Sequence, residues 1–506
     1  MALASNLDIE MEKANVAAAE QAVRGSRGFY DPRLRWLPSL ISENDPSPSV
    51  LQGVDGKLSQ HVHAENFDFL QNLPWKGAGV ELTFDNSRVS STNPFLSLDP
   101  YFSSQLSLTF TQPLWRGRET DAGRTEIRIR RKQKEESDAH FEARAIDVVT
   151  RVEQAYWDLV AARQDADVKA ESAGWAREQL AQVRRMIDAG EQASVELSAA
   201  EAELERRLDT WYAAVGAITE TENTLKTMIT DSPKAELWTD EIVPSDEKAV
   251  TPPNADDYRA ATAVALRMRP ELKQVAARQG ANDAQKHENA DLVKPQLNLV
   301  AGYTSTGFAG TLQDVQDPLT SSITALYGRV NELSTAQGLP ALVGTGLGAT
   351  PGALMGGYGT SLANLFGGRY QTVQVGLAFD LTFRNRRAKA DLAESVIAEH
   401  RLKLEEAQVE QAIQAQVRNA LQAMQTAQQR MTAAVASARA AKEKLDSETR
   451  MFRTGESTNF LVLTRQNEYA DSRHRVVAAT VDFNKAIAAL EQAEGTTLKE
   501  HGVGVK

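Results

Sequence analysis

The residues Ile413, Val417, Ala420, Met424, Ala427, Met431, Ala434, Ala438, Ala441 and Leu445 follow an unbroken alternation of four-residue and three-residue steps. Nothing else in the chain narrows its possible folds so far. Such a seam marks a straight helix that packs along its whole length in left-handed coiled geometry. The surrounding helix is expected over 386–452, about 100 Å at 1.5 Å per residue. Ala145, Val149, Val152, Tyr156 and Leu159 begin the same pattern earlier, in a helix expected over 118–188. The 413–445 seam is rich in alanine, which lets helices approach closely.

The two helices belong to a repeat. Gly190–Leu204 and Gly455–Tyr469 lie 265 positions apart, and the same offset lays Val152–Tyr156 on Val417–Leu421. At an offset of 269, Leu106–Leu114 falls on Val375–Phe383; at 263, Pro32-Arg33-Leu34 falls on Pro295-Gln296-Leu297. Landmarks in one order at nearly constant spacing indicate a duplicated unit. The first repeat is expected over 1–230, with a leading helix, strands at 33–41 and 78–114, the long helix, a tip turn at 189–194 and a return helix at 195–230. A connector with four prolines spans 231–257. The second repeat, 258–495, holds a helix, a strand at 296–304, an irregular loop at 305–368, a strand at 371–383, the long helix, a tip turn at 453–458 and a return helix at 459–494. A tail follows at 496–506.

The strands have two unlike faces. Leu106, Leu108 and Phe110 alternate with Ser107, Thr109 and Thr111; Val373, Val375, Leu377, Phe379 and Leu381 alternate with Gln374, Gly376, Ala378 and Asp380. No glycine or proline separates this second strand from the helix that begins at Arg386, so strand and helix are expected to join without a linker. In a membrane barrel the apolar face meets lipid and the polar face lines water. Two to four such strands cannot close a barrel alone, whereas several chains can. No stretch approaches 18 apolar residues, so no transmembrane helix is expected.

Charge and composition exclude other classes. With 56 Lys+Arg against 68 Asp+Glu, a formal charge of −12 and no basic block, nucleic acid is not an expected partner. There is no cysteine, which fits either a reducing or an oxidising compartment. No Walker motif, zinc-protease helix or nucleophile elbow is present, so no enzyme activity, cofactor or catalytic residue is expected. His61 and His63 lack an evident third ligand, so no metal is expected either. Gly344-Thr345-Gly346-Leu347-Gly348 misses the full spacing of a phosphate loop and reads as a plain loop.

The order of elements, with Gln112-Pro113-Leu114-Trp115-Arg116-Gly117, Arg269-Pro270-Glu271-Leu272 and the turns at Gly190 and Gly455, resembles the TolC-like outer membrane efflux family. The resemblance covers nearly the whole chain. It implies an α+β membrane protein: a homotrimeric β-barrel, about four strands per protomer, continuous with a long α-helical coiled-coil tunnel through the periplasm. It implies a passive exit duct for a tripartite efflux pump or a type I secretion system. A periplasmic adaptor would dock at the helix tips, with the inner-membrane pump engaged indirectly. The alternative is an envelope coiled-coil scaffold without a pore. At the start, Asn6-Leu7-Asp8-Ile9 stands where the second repeat has Arg269-Pro270-Glu271-Leu272, and no signal peptide is visible; a truncated or near-mature N-terminus is expected.

Candidate residues follow. Gly190, Glu196, Leu197, Gly455, Asn459, Phe460 and Val462 are expected at the adaptor contact. Asp446 and Glu448, multiplied by three-fold symmetry, would form an acidic ring at the tunnel entrance. Leu106, Leu108, Phe110, Val375, Leu377, Phe379 and Leu381 are expected to face lipid. Trp36, Trp75, Tyr101, Trp115 and Tyr303 lie near strand ends, where interfacial aromatics gather. Ser194 or Asn459 is the expected cap of each return helix.

Overall fold

The computed structural model describes residues 2–48, 56–93, 95–245, 257–313, 318–342 and 350–503. The glycine-rich stretch at 344–348 lies outside the described residues. In order, the elements are α1 (Ala2–Ser5), α2 (Leu7–Ser26), β1 (Arg33–Pro46), β2 (Lys57–Asn72), β3 (Gly79–Ser91), β4 (Leu98–Pro113), α3 (Ala122–Asp188) and α4 (Val195–Ile229). Then come α5 (Tyr258–Met268), α6 (Pro270–Leu292), β5 (Gln296–Leu312), α7 (Pro318–Ala336), α8 (Tyr358–Phe366), β6 (Gln371–Asp380), α9 (Arg386–Arg453), α10 (Asn459–Glu494) and α11 (Thr497–Glu500). Two compact units result: Met1–Val23, Ile129–Asn282 and Ile397–Lys506 form a helical unit, and Arg24–Arg128 with Asp283–Val396 form a sheet unit.

In the helical unit, α3–α4 and α9–α10 are two helical hairpins. The seam of α9 packs as its spacing requires. Leu421, Met424 and Ala427 meet Phe483, Ile487 and Leu490 of α10, while Ile413 and Val417 meet Ala261 and Ala265 of α5. Every one of the ten seam positions is buried or half-buried. In the first hairpin, Ala155 and Leu159 pack on Leu225 of α4. Trp157 and Val160 of α3 contact Val481 of α10, so the hairpins also touch each other.

The junction at Arg269 shows how one motif organises this unit. Pro270 opens α6 and holds Arg269 extended, which ends α5. The Arg269 guanidinium then reaches Glu271 through Nε and Nη2 at 2.9 Å each, and Gln416 at 2.8 Å. Its Nη1 donates to the carbonyls of Gln492 and Ala493, the last turn of α10. Asn6, at the matching place in the first half, does the corresponding work with a shorter side chain. Its Nδ2 donates to the Met228 carbonyl in the last turn of α4 at 2.8 Å, and its Oδ1 accepts from the Asp8 backbone N–H at 2.9 Å.

The sheet unit corrects the expected strand count. Among the described residues one antiparallel sheet runs in the order β1-β2-β3-β4-β5-β6, six strands where about four were expected. β2 had no counterpart among the expected strands. The expected strand at 78–114 divides into β3 and β4, and β1 extends to Pro46. The loop expected from 305 is strand as far as Leu312 and contains α7 and α8. β6 ends at Asp380, and Leu381–Asn385 link it to α9 with Arg384 and Asn385 at φ +68° and +33°. The chain therefore turns there without glycine, and the linkerless junction is not observed. Asn tolerates this left-handed region better than most residues, and Asn385 Nδ2 donates to the Leu292 carbonyl at 3.0 Å.

Candidate lipid face and helix-hairpin tips

Register across the sheet sorts its side chains into rows. Leu34, Phe69, Leu82, Leu108, Tyr303 and Val373 are successive partners across all six strands. One residue along, Arg35, Asp68, Thr83, Ser107, Thr304 and Thr372 form the next row. Neighbouring positions on a strand point to opposite faces, so one face is apolar and the other polar. Leu106, Phe110, Val375, Leu377 and Phe379 share the apolar face; Leu381 lies just past the strand end. None of the six residues of the apolar row is buried, and Leu34 and Val373 are 73% and 71% exposed. A contiguous exposed apolar sheet face needs a partner phase. The polar row is internally satisfied in part: Arg35 Nη2 meets Asp68 at 3.0 Å and the Ser107 and Thr304 hydroxyls are 3.1 Å apart.

The apolar face stops where α8 begins. Ser104, Ser305 and Gly307 have the same pleat direction as Leu106 but are small. Ser361 of α8 hydrogen-bonds Ser104 at 3.1 Å, and the Ser305 hydroxyl donates to the Leu365 carbonyl at 2.6 Å. A Cβ at Gly307 would meet the Ser361 carbonyl at 2.0 Å. The switch from Leu and Phe to Ser and Gly along these strands thus records a helix lying on them. Trp75 and Trp115, 60% and 50% exposed, sit at the other sheet end, in the β2–β3 turn and just after β4. Trp36 and Tyr303 share the apolar face, while Tyr101 points to the opposite face. His61 and His63 lie on β2, and His63 pairs with Glu65 at 3.2 Å.

The two tip turns are built alike. Gly190 and Gly455 have φ of +78° and +80°. Glu191 N–H bonds the Met186 carbonyl at 2.8 Å, and Glu456 N–H bonds the Met451 carbonyl at 2.9 Å. Only glycine takes that φ without strain. Gly190→Ala and Gly455→Ala are each expected to cost about 1 kcal/mol or more, seen as faster amide exchange confined to the affected hairpin end.

The tips use fewer of the expected residues than the sequence suggested. Phe460 is 75% exposed and Glu196 is half-buried, but Val462 is 3% exposed, and Leu197 packs against Leu180, Val183 and Ala200. Val462 is therefore a hairpin-core residue in the chain by itself. Val195, 70% exposed and beside Glu196, was not among the candidates. Ser194 makes no side-chain cap, and in the second turn Thr458, not Asn459, caps α10 by accepting from the Leu461 N–H at 3.4 Å. Asn459 instead accepts a hydrogen bond from Gln179, tying the second turn to α3. Asp446 is exposed, but Glu448 is buried, accepts from the Ser457 hydroxyl and lies 3.8 Å from Arg465. Its carboxylate is engaged within the hairpin.

Below the tips, Arg207 is 2% exposed and joins three helices. It donates to Glu203 at 2.8 Å, to the Ser172 carbonyl of α3 at 2.9 Å and to Asn467 of α10 at 3.1 Å. Hydrogen bonds from Arg206 first, and then from Arg207, hold the Glu203 carboxyl at about 2.

No helix among the described residues is long and apolar enough to cross a membrane. The chain thus joins a β-sheet with one exposed apolar face to two hairpins of long helices. The chain belongs to the outer membrane efflux protein family, whose model matches residues 77–230 and 331–496, more than half of the sequence. It is accordingly an outer membrane channel protein of the Gram-negative envelope and not an enzyme. Solved structures share the fold. The CmeC outer membrane channel of Campylobacter jejuni aligns with 99% of this chain and 87% of its own, at 14% identity and a TM-score of 0.61. VceC of Vibrio cholerae aligns over 98% and 94%, at 12% identity and 0.63. The open-state MtrE channel of Neisseria gonorrhoeae aligns over 98% and 87%, at 15% and 0.60. No curated protein matches in sequence.

Proposed function

We propose that three copies of this chain close their sheets into one barrel in the outer membrane, and that the barrel and the helical hairpins form a passive exit duct. The observation that carries this reading is the pair of six-residue rows, one apolar and exposed, the next polar. The exposed edge strands β1 and β6 add to it: among the described residues each pairs on one side only, and such an edge is a template for another strand. With six strands from each of three chains the wall has eighteen. The polar row then lines water. The corresponding Asn6 and Arg269 junctions support an origin by duplication. Native mass spectrometry of the detergent-solubilised protein should give three chains per particle; a monomer would contradict the closure.

The duct serves a tripartite pump or a type I secretion system, with energy supplied by inner-membrane partners. The adaptor contact comprises Val195, Glu196, Phe460 and the Gly190 and Gly455 turns, because exposed apolar residues at a tip need a partner. Leu197, Asn459 and Val462 support that surface from beneath. Of the proposed acidic ring, Asp446 faces the entrance and Glu448 braces the turn. Phe460→Ser is expected to abolish crosslinking to the periplasmic adaptor while changing the chain's stability by less than about 0.5 kcal/mol; unchanged crosslinking would remove Phe460 from the contact.

A further inference from the structure

Glu153 of α3, Glu491 of α10 and His501, just after α11, bring three ligand-type atoms within 4.8 Å of one another. His501 Nε2 is 3.3 Å from a Glu153 oxygen and 3.8 Å from a Glu491 oxygen. Zinc bound tetrahedrally at about 2.0–2.2 Å from His nitrogen and carboxylate oxygen places its ligand atoms about 3.3–3.5 Å apart. The His501–Glu153 separation already matches that, and the His501–Glu491 separation is slightly wider. We propose that Glu153, Glu491 and His501 form a zinc-type divalent cation site that fastens the C-terminal segment to α3 and α10.

Charge at the site favours such an occupant. Glu491 faces Glu153 from α3, Glu494 from its own helix, and Glu500 and His501 from the C-terminal segment. His501 is the one group among these that can carry positive charge. Glutamates gathered around a single imidazole make a site where a divalent cation would be favoured. Two carboxylates and a histidine also suit zinc with a fourth position open to water. The sequence hid this grouping, because its members are 153, 491 and 501 in the chain.

The segment being fastened is an anchor for the helical unit. Thr497 and Leu498 of α11 are buried, and Leu498 packs with Ile9, Ala145, Ile146 and Val148. A cation joining His501 to α3 and α10 would hold this segment down at its exposed end. The site is independent of whether the sheet closes into a trimer.

The test is calorimetric titration of zinc chloride into the full chain in detergent, stripped with chelator and free of any histidine tag. One zinc per chain is expected. His501→Ala and Glu153→Gln should each weaken binding at least tenfold, while His61→Ala leaves it unchanged. Zinc should also slow amide exchange across residues 497–503 in the unaltered chain and not in His501→Ala. Absence of stoichiometric uptake overturns the proposal. So does uptake that survives both His501→Ala and Glu153→Gln, or that depends on His61. Glu153→Gln preserves the shape of its side chain, so it reports on ligation even if the His501 variant folds poorly.

Discussion

Leu108→Arg should destabilise the membrane-inserted protein by about 2–4 kcal/mol per chain, whereas Thr109→Arg, one residue away, should cost little. The contrast follows from the two faces of β4. Leu108 sits in the apolar row between Leu82 and Tyr303, and Thr109 pairs with Glu81 and Gly302 on the other side. A cation on the lipid face must leave water for hydrocarbon, a cost of about 2–4 kcal/mol at mid-bilayer; on the lumen face it stays hydrated. Guanidinium unfolding from phospholipid vesicles measures both variants under one set of conditions. Equal costs at the two positions would mean that the sheet does not separate lipid from water.

Arg207→Ala is the second large effect, a loss of about 2–4 kcal/mol, because it removes one buried cation and several of the hydrogen bonds it makes to neighbouring helices. Glu203 keeps Arg206, but the Ser172 carbonyl and Asn467 lose their donor. Arg207→Lys should recover only part of the loss, since an ammonium cannot span three directions as the guanidinium does. Thermal unfolding followed by circular dichroism reads both. The same network sets an acid limit. Glu203 has its folded pKa lowered from 4.5 to about 2, so its contribution is complete above about pH 4.5 and disappears as pH falls toward 2. Glu203→Gln should flatten that part of the stability curve. An unaltered acid limb in the variant would remove Glu203 as its cause.

The helices were the most legible part of the chain, because a seam needs only one partner stripe and shows as a strict period. Ile413, Val417 and Met424 are buried and the residues between them mostly are not. β6 and the second half of β4 were legible for the same reason: each keeps one apolar face for many residues. β2 was not. Gln60, His61, His63, Glu65, Asn66 and Asp68 break its alternation, and Glu65, Asn66 and Asp68 have cross-strand partners. Glu65 accepts from Trp36 at 2.7 Å, and Asp68 from Arg35. Pairing of this kind depends on register, which periodicity along one strand cannot reveal.

The tips were misread for a different reason. Apolar residues just after a turn looked exposed, but the inward stripe of a return helix begins in its first turn. Leu197 and Val462 already belong to it, leaving Val195 and Phe460 outside. Glu448 looked like one more surface carboxylate; its partner Ser457 lies across the turn and Arg465 on the next helix. The distinction between ring and brace is set by tertiary contact and carries no local signature.

The absence of cysteine makes the decisive measurement simple, because single cysteines can be placed in β4 and β5 without a background. Variants Ser107→Cys, Thr304→Cys and Leu108→Cys, reconstituted in planar bilayers, would be exposed to a charged, water-soluble thiol reagent while single-channel current is recorded. The account predicts stable conductance in all three, with reagent reducing the current through the Ser107 and Thr304 variants and leaving the Leu108 variant unchanged. No conductance, or a block at Leu108 with none at Ser107 and Thr304, would contradict it.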